Sequence, residues 1–245
     1  LAVLAVPSEA IPTALENLGK HGVKAAIICS GGFAETGSPE GIALQAEVDK
    51  IRRRHEMRIL GPNTSGMALP PLQLHASFVP AVTRLMPGSV AVIAQSGGVA
   101  HATALALHSE GIGVGTMIGT GNAVDVDLPE LITAIARRGQ HSCISVHLEG
   151  TSDGAGLIQA IELASRSVPV VVLKSGVSDV DRLAASHTGA LTGDWKVAQA
   201  LLTEAGAVVV STLGDLVDAV TGLSITRLAP GPRPAAAGVV TGQAG

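Results

Sequence analysis

The chain has 245 residues, of which 47% are hydrophobic, 15% charged and 1% aromatic, and its formal net charge is −4. This hydrophobic content supports one large or two modest folded domains and excludes a disordered chain. The negative charge excludes a general attraction to nucleic acid, and the scarcity of aromatic residues leaves no stacking platform for bases.

The first 60 residues alternate between strand-like and helical patterns. Strands are predicted at residues 1–6, 23–29 and 58–60, and helices at residues 9–18 and 40–55. The alternation predicts part of a Rossmann-like domain over residues 1–66, with neighbouring sequence outside this chain.

The next segment is predicted to be an extended linker, residues 67–87. Five prolines lie between residues 61 and 87. Proline lacks a backbone N–H and interrupts helices, so no helix is expected there.

From residue 88 onward, five strand-like segments alternate with five helical ones. The strands are predicted at residues 89–94, 113–118, 142–148, 169–174 and 207–210, and the helices at 99–110, 128–138, 154–165, 194–204 and 213–223. Parallel neighbouring strands need crossover helices, so this alternation predicts a doubly wound parallel sheet over residues 88–224. Residues 225–245 are predicted to be a linker and the start of a following domain.

The cysteines and the apolar segments indicate a cellular location. The two cysteines, Cys29 and Cys143, lie far apart in apolar segments, so no disulfide framework is predicted. No apolar stretch approaches the roughly 18 residues that span a bilayer. We therefore expect a cytoplasmic protein without a membrane partner, and the sequence predicts no metal site.

Small residues follow the strand that ends at Ala94. Ser96, Gly97 and Gly98 join this strand to the next helix. A helix that starts there aims free backbone N–H groups and a positive dipole end at one point, which favours a phosphate site. An ordinary tight turn is an equal alternative, because glycine is common in such turns.

Two further strand ends carry polar residues. Gly121, Asn122 and Asp125 follow the second strand of the predicted sheet, and Glu149 follows the third. Ligands of doubly wound sheets collect at the carboxyl ends of the strands, so these residues are expected to border one crevice with Ser96. A turn and a solvated strand end are the alternatives.

His187 lies in a segment of small residues after the strand at residues 169–174. Segments longer than about 12–15 residues without regular structure are usually functional or disordered. A neutral imidazole there is a candidate nucleophile near pH 7, and a carboxylate such as Glu149 would fix its tautomer. A surface histidine in a flexible loop is the alternative.

Six motifs identify a resemblance to a known family. They are Gly31-Gly32-Phe33-Ala34-Glu35, Gly61-Pro62-Asn63, Ala94-Gln95-Ser96-Gly97-Gly98, Gly121-Asn122 with Asp125 and Asp127, Leu148-Glu149-Gly150, and Ser186-His187-Thr188-Gly189-Ala190. In this order they resemble the nucleoside-diphosphate-forming acyl-CoA synthetases, relatives of succinyl-CoA synthetase. The resemblance covers nearly the whole chain.

The resemblance implies the C-terminal part of a CoA-binding domain, followed by a flavodoxin-like ligase domain. It implies transfer of an acyl group from CoA to phosphate, phosphorylation of His187 by the acyl phosphate, and transfer to ADP or GDP. Glu149 would orient His187, and Ser96, Gly97 and Gly98 would hold phosphate. The substrates would be an acyl-CoA or carboxylic acid and phosphate. ADP or ATP with Mg would bind an ATP-grasp domain, which this chain lacks, in cis or as a subunit of an oligomer.

Two other functions fit some of the same residues. Ser96, Glu149 and His187 occur in the chain order of an α/β-hydrolase triad, with Ser96 in a relaxed nucleophile elbow. A non-catalytic module that senses CoA or acyl-CoA, fused to an acetyltransferase for example, would use the same crevice. Phosphotransfer through His187 distinguishes the ligase from both.

Overall fold

The computed structural model describes residues 1–175 and 195–225, which form two β-sheets with flanking helices. The strands are β1 (Ala2–Leu4), β2 (Ala25–Ile28), β3 (Arg58–Leu60), β4 (Gly66–Leu69), β5 (Leu74–Ser77), β6 (Pro87–Ala94), β7 (Val114–Gly119), β8 (Cys143–Leu148), β9 (Val170–Lys174) and β10 (Val208–Val210). The helices are α1 (Ile11–Lys20), α2 (Pro39–His55), α3 (Gly97–Ser109), α4 (Leu128–Arg138), α5 (Gly154–Ser165), α6 (Trp195–Glu204) and α7 (Leu213–Ile225). In this part of the chain, no helix is long and apolar enough to cross a membrane.

The first sheet has three parallel strands in the order β1-β2-β3. Apolar residues of α1 and α2 pack against its strands in one core, which includes Ile11, Leu15, Val48 and Ile51. The alternating pattern of the first 60 residues is therefore confirmed as an α/β unit.

The second sheet has seven strands in the order β10-β9-β8-β6-β7-β4-β5. Its five strands from β6 to β10 are parallel, and their order is that of a flavodoxin-like fold. One core joins the sheet to α4, α5 and α6. A second core, on the other face, joins it to α3 and α7. The predicted doubly wound sheet is confirmed.

The prediction that residues 67–87 form an extended linker is wrong. Strands β4 and β5 form an antiparallel hairpin, and β4 pairs with β7, which extends the second sheet by two strands. Pro70 and Pro71 lie in the 3₁₀ turn between the two strands, and Pro80 starts another 3₁₀ turn after β5. Pro70, Pro71 and Pro80 therefore lie in turns, and Pro87 is the first residue of β6, where a missing N–H is tolerated.

The loop after β7 connects the two sheets. The Val124 amide donates to the Gly61 carbonyl (3.0 Å), and the Val126 amide donates to the Ile59 carbonyl (3.2 Å). The loop thus runs antiparallel to the end of β3, although it starts in the second sheet. This pairing places the loop between the two sheets before it enters α4.

Asp125 stabilises this junction through charge. Its carboxylate lies 3.1 Å from Arg52 and 2.9 Å from Arg58, and it accepts the Ile59 amide at 2.8 Å. The Asp125 side chain is only 10% exposed, whereas Glu130, which also pairs with Arg58, is 46% exposed. Hydrogen bonds from Arg58 to Glu130 and Asp125 raise the pKa of this guanidinium. Both Asp125 oxygens are therefore occupied within the junction.

We expect Asp125→Ala to lower the free energy of unfolding by about 2–4 kcal/mol, because Arg52 and the Ile59 amide lose a largely buried acceptor. Glu130→Gln is the matched control and should cost less than about 1 kcal/mol, since its ion pair faces solvent. Urea denaturation measures both. Equal losses in the two variants would contradict the assignment of Asp125 to the junction.

Candidate functional site

A cleft of about 780 Å³ lies at the carboxyl ends of β6 and β8. Strand β7 lies on one side of β6, and β8, the next parallel strand along the chain, lies on its other side. The strand order therefore reverses between β6 and β8, and ligands of doubly wound sheets bind at such a point. Six of the residues predicted from the sequence line it together: Ser96, Gly97, Gly98, Gly121, Asn122 and Glu149. Asp125 does not line it, and His187 lies outside the described residues.

The N-terminus of α3 opens into the cleft. Ser96 is the N-cap of this helix, and its hydroxyl accepts a hydrogen bond from the Val99 amide (3.4 Å). Gly97 and Gly98 follow as the first two helical residues, whose amides have no acceptor within the helix. These amides and the positive end of the helix dipole can hold an anion such as phosphate.

The two glycines differ in the space around them. A Cβ on Gly97 would lie 2.7 Å from both Cβ and Oγ of Ser65, whereas a Cβ on Gly98 would meet only Ser96 Oγ, at 3.7 Å. Ser65 is 6% exposed and cannot move aside easily. Gly97 is therefore required for the close packing of α3, and Gly98 leaves open space in the cleft.

We expect Gly97→Ala to lower the free energy of unfolding by about 1–3 kcal/mol through overpacking against Ser65. Gly98→Ala should leave it unchanged or raise it by up to about 1 kcal/mol, because alanine is favoured in a helix. Thermal and urea unfolding of the two variants check this. A Gly97→Ala protein as stable as Gly98→Ala would contradict the described packing.

Gln95 joins the ends of β6 and β8. Its side-chain oxygen accepts the amides of Glu149 (2.6 Å) and Gly150 (3.1 Å), and its amide nitrogen donates to the Gly150 carbonyl (2.6 Å). Three hydrogen bonds from one side chain thus hold the backbone from which the Glu149 side chain projects. Gln95 belongs to one of the six motifs, but its role could not be predicted, because a contact between distant segments leaves no local pattern.

A neutral histidine lies on β8 next to the cleft. His147 is buried, and its Nε2 lies 2.8 Å from the Ser175 hydroxyl. Burial, and then the positive charge of Lys174, lower the pKa of His147 to about 4. The ring therefore remains uncharged at neutral pH.

This shift predicts a pH dependence of stability. In the unfolded chain this histidine has its ordinary pKa of about 6.5, whereas folded His147 stays neutral down to about pH 4. Between these two values the unfolded state binds more protons than the folded state. The free energy of unfolding therefore falls as the pH falls through this window. We expect a loss of about 3 kcal/mol from this residue between pH 7 and pH 4. His147→Gln should lose less stability than the wild type over the same range, measured by urea denaturation. Parallel pH profiles of the two proteins would contradict the shift.

The side chain of Asn122 connects the cleft to the first sheet. Its Nδ2 donates to Glu35 and to Gln45 (2.8 Å), and its Oδ1 accepts from Asn63 (3.3 Å). Burial alone would raise the pKa of Glu35, but hydrogen bonds from Asn122 and from the Gly32 amide outweigh it, so this pKa lies below its ordinary value. Asn122 therefore shapes the wall of the cleft, with its polar atoms bonded to α2 and to loop residues next to the first sheet.

The loop after β7 reaches the cleft at both of its ends. Gly121 has a φ of +58°, and a Cβ there would lie 2.3 Å from the Pro62 carbonyl oxygen, so the position requires glycine. The prediction that Asp125 borders the crevice is wrong, because its carboxylate pairs with the two arginines of the junction. Asp127 lines the cleft instead and caps α4 by accepting the Glu130 amide at 3.0 Å.

Sequence reasoning missed the wall formed by the residues on either side of the β4–β5 hairpin. Ser65, Phe78 and Val79 line the cleft on this side. His101 of α3 also lines it, is 7% exposed, and its Nδ1 donates to the Gly97 carbonyl (2.6 Å). Phe78 and Val79 were missed because residues 67–87 were predicted to be a linker. His101 belongs to no motif, although it lies three residues after Gly98, in the helix predicted at residues 99–110.

Comparison with known proteins supports the flavodoxin-like description. Residues 87–223 match the family described as "Succinyl-CoA ligase like flavodoxin domain". This region holds β6 to β10 and every cleft residue that the sequence predicted.

Two proteins named as subunits of ADP-forming acetate–CoA ligases align over most of the chain. The alpha subunit of ADP-forming acetate–CoA ligase II from Pyrococcus furiosus is 34% identical over 96% of this chain and 49% of its own length. The alpha subunit of ligase I from the same organism is 35% identical over 89% of this chain and 47% of its own length. The chain thus spans about half the length of these relatives.

A solved structure shares the fold. It is the dinucleotide-forming acetyl-coenzyme A synthetase 1 of Ca. Korarchaeum cryptofilum in complex with phosphate and ADP. The TM-score is 0.86 at 31% sequence identity, and the match covers 94% of this chain and 49% of that one.

Proposed function

The chain belongs to the family of succinyl-CoA-ligase-like flavodoxin domains, and we propose that it is the part of a nucleoside-diphosphate-forming acyl-CoA synthetase that makes and uses an acyl phosphate. A phosphate oxygen attacks the thioester carbon of an acyl-CoA, the C–S bond breaks, and CoA leaves with a proton. His187 Nε2 then attacks the phosphorus of the acyl phosphate, and the carboxylate leaves. The phosphoryl group finally passes to ADP or GDP. Every step is reversible.

One observation carries this proposal: the N-terminus of α3 and Glu149 line the same cleft. An anion at the Gly97 and Gly98 amides would lie beside a carboxylate that can hold an imidazole. The relatives named as ADP-forming acetate–CoA ligases support the reaction class.

The residues of the cleft would divide the chemistry between them. The α3 amides would stabilise the negative charge of the phosphoryl group as it moves between oxygen and nitrogen. Glu149 would accept the Nδ1–H of His187, which leaves Nε2 free to attack, and it would stabilise the cation that forms. His187 enters this proposal from the sequence motif alone.

The remaining steps need groups beyond the cleft. We propose that the first sheet, with residues 1–66, contributes to the CoA site, and that residues 88–224 form the ligase domain. ADP or GDP, with Mg, would bind an ATP-grasp domain in cis or on a partner subunit. The two Pyrococcus furiosus relatives are named as alpha subunits, which agrees with a division of the activity between chains.

No observation favours the hydrolase alternative. The Ser96 hydroxyl accepts the Val99 amide as the cap of α3, which accounts for this serine without a catalytic role. A module that binds acyl-CoA without phosphotransfer uses the same cleft, so a phosphorylation assay separates it from the ligase.

We expect the full-length protein to incorporate phosphate on His187 when it is incubated with acetyl phosphate. The label should be acid-labile and base-stable, and phosphopeptide mapping should find it on the peptide that contains His187. His187→Asn should abolish it, whereas His21→Asn, at an exposed position after α1, should retain it. Full labelling of His187→Asn, or label on Ser96, would overturn the mechanism. Binding of acyl-CoA without any label would favour the sensing module.

A further inference from the structure

Lys174, the last residue of β9, is a buried cation next to the cleft. The residue is only 4% exposed. Its Nζ donates to the Glu149 carbonyl (2.9 Å) and to the Ser175 carbonyl. A buried ammonium group is costly unless it is hydrogen-bonded or paired, and here both acceptors are backbone oxygens at strand ends. Burial lowers the pKa of Lys174, and the nearby charge of Glu149 opposes this effect.

These contacts continue the ladder between β8 and β9 beyond its last backbone bond. Leu148 and Lys174 are partners in the register of the two strands, and the Ser175 amide donates to the Leu148 carbonyl (2.9 Å). The Lys174 ammonium then binds the carbonyls of Glu149 and Ser175, which are the next residues after this pair on the two segments. The lysine thus adds a side-chain link between the ends of β8 and β9.

Glu149 is therefore held on two sides. Gln95 of the β6 end binds the Glu149 amide, and Lys174 of β9 binds the Glu149 carbonyl. With both backbone polar groups fixed, the direction in which the Glu149 side chain leaves the backbone is set by its neighbours. Groups that act on a reacting residue in this way orient it without contact with the substrate.

We propose that Lys174 is a positioning residue that holds Glu149 at the edge of the cleft for its work on the phosphorylated histidine. The inference rests on the proposed function of Glu149. Lys174 does not line the cleft, so it acts through Glu149. The charge of Glu149 in turn favours the charged form of Lys174, the form that donates both hydrogen bonds.

The test is a double-mutant cycle on phosphorylation by acetyl phosphate, with Lys174→Met, Glu149→Gln and the double variant in the full-length protein. Methionine keeps a flexible apolar side chain but removes the charge and both hydrogen bonds. We expect Lys174→Met to slow phosphorylation at saturating acetyl phosphate at least tenfold, with the half-saturating concentration unchanged within about twofold, because α3 is untouched. In the Glu149→Gln background the same substitution should have no further effect. Lys50→Met, which removes an exposed lysine, is the control and should phosphorylate at the wild-type rate.

Additive effects of the two substitutions would overturn the inference, because Lys174 would then act independently of Glu149. A Lys174→Met protein with the wild-type rate would also overturn it. Absence of phosphohistidine in the wild-type protein would instead refute the proposed function, and the positioning role with it.

An NMR titration of His147 gives a readout apart from activity. Loss of the Lys174 charge should raise the His147 pKa from about 4. An unchanged pKa would overturn the inference, because Lys174 would then not be the ammonium donor that it requires.

Discussion

The cleft depends on the three hydrogen bonds between the Gln95 side chain and the backbone of Glu149 and Gly150. Strands β6 and β8 are neighbours whose connections leave the sheet in opposite directions, so a gap opens between their carboxyl ends. Gln95 spans this gap with an amide that satisfies two N–H groups and one carbonyl. It therefore fixes Glu149 relative to the N-terminus of α3, which begins two residues after Gln95.

The second constraint is the junction between the sheets. The loop after β7 supplies one wall of the cleft, yet its partners lie elsewhere. Val124 and Val126 bind the main chain of β3 and the residue after it, and Asp125 pairs with arginines of β3 and α2. The first sheet thus stabilises a wall of a site built mainly by the second. In the proposed reaction, this contact would fix the position of a CoA site on the first sheet relative to a phosphate site on the second.

Much of this arrangement was predictable from the sequence, because apolar periodicity encodes strands and helices and ligand-binding residues follow strand ends. The placement of Glu149 beside α3 follows from these two rules. The hairpin was missed because Pro70 and Pro71 resemble linker residues, although they occupy only its turn. The partners of Asp125 were missed because an ion pair between distant segments leaves no periodic pattern. The role of His187 rests on the motif and the family.

The central claim is that the N-terminus of α3 holds phosphate beside Glu149. A crystal structure of the full-length protein with inorganic phosphate tests it most directly. The account predicts a phosphate oxygen about 3 Å from the amide nitrogens of Gly97 and Gly98, with the Glu149 carboxylate in the same cleft. Phosphate bound at another site, with these two amides facing only solvent, would contradict it.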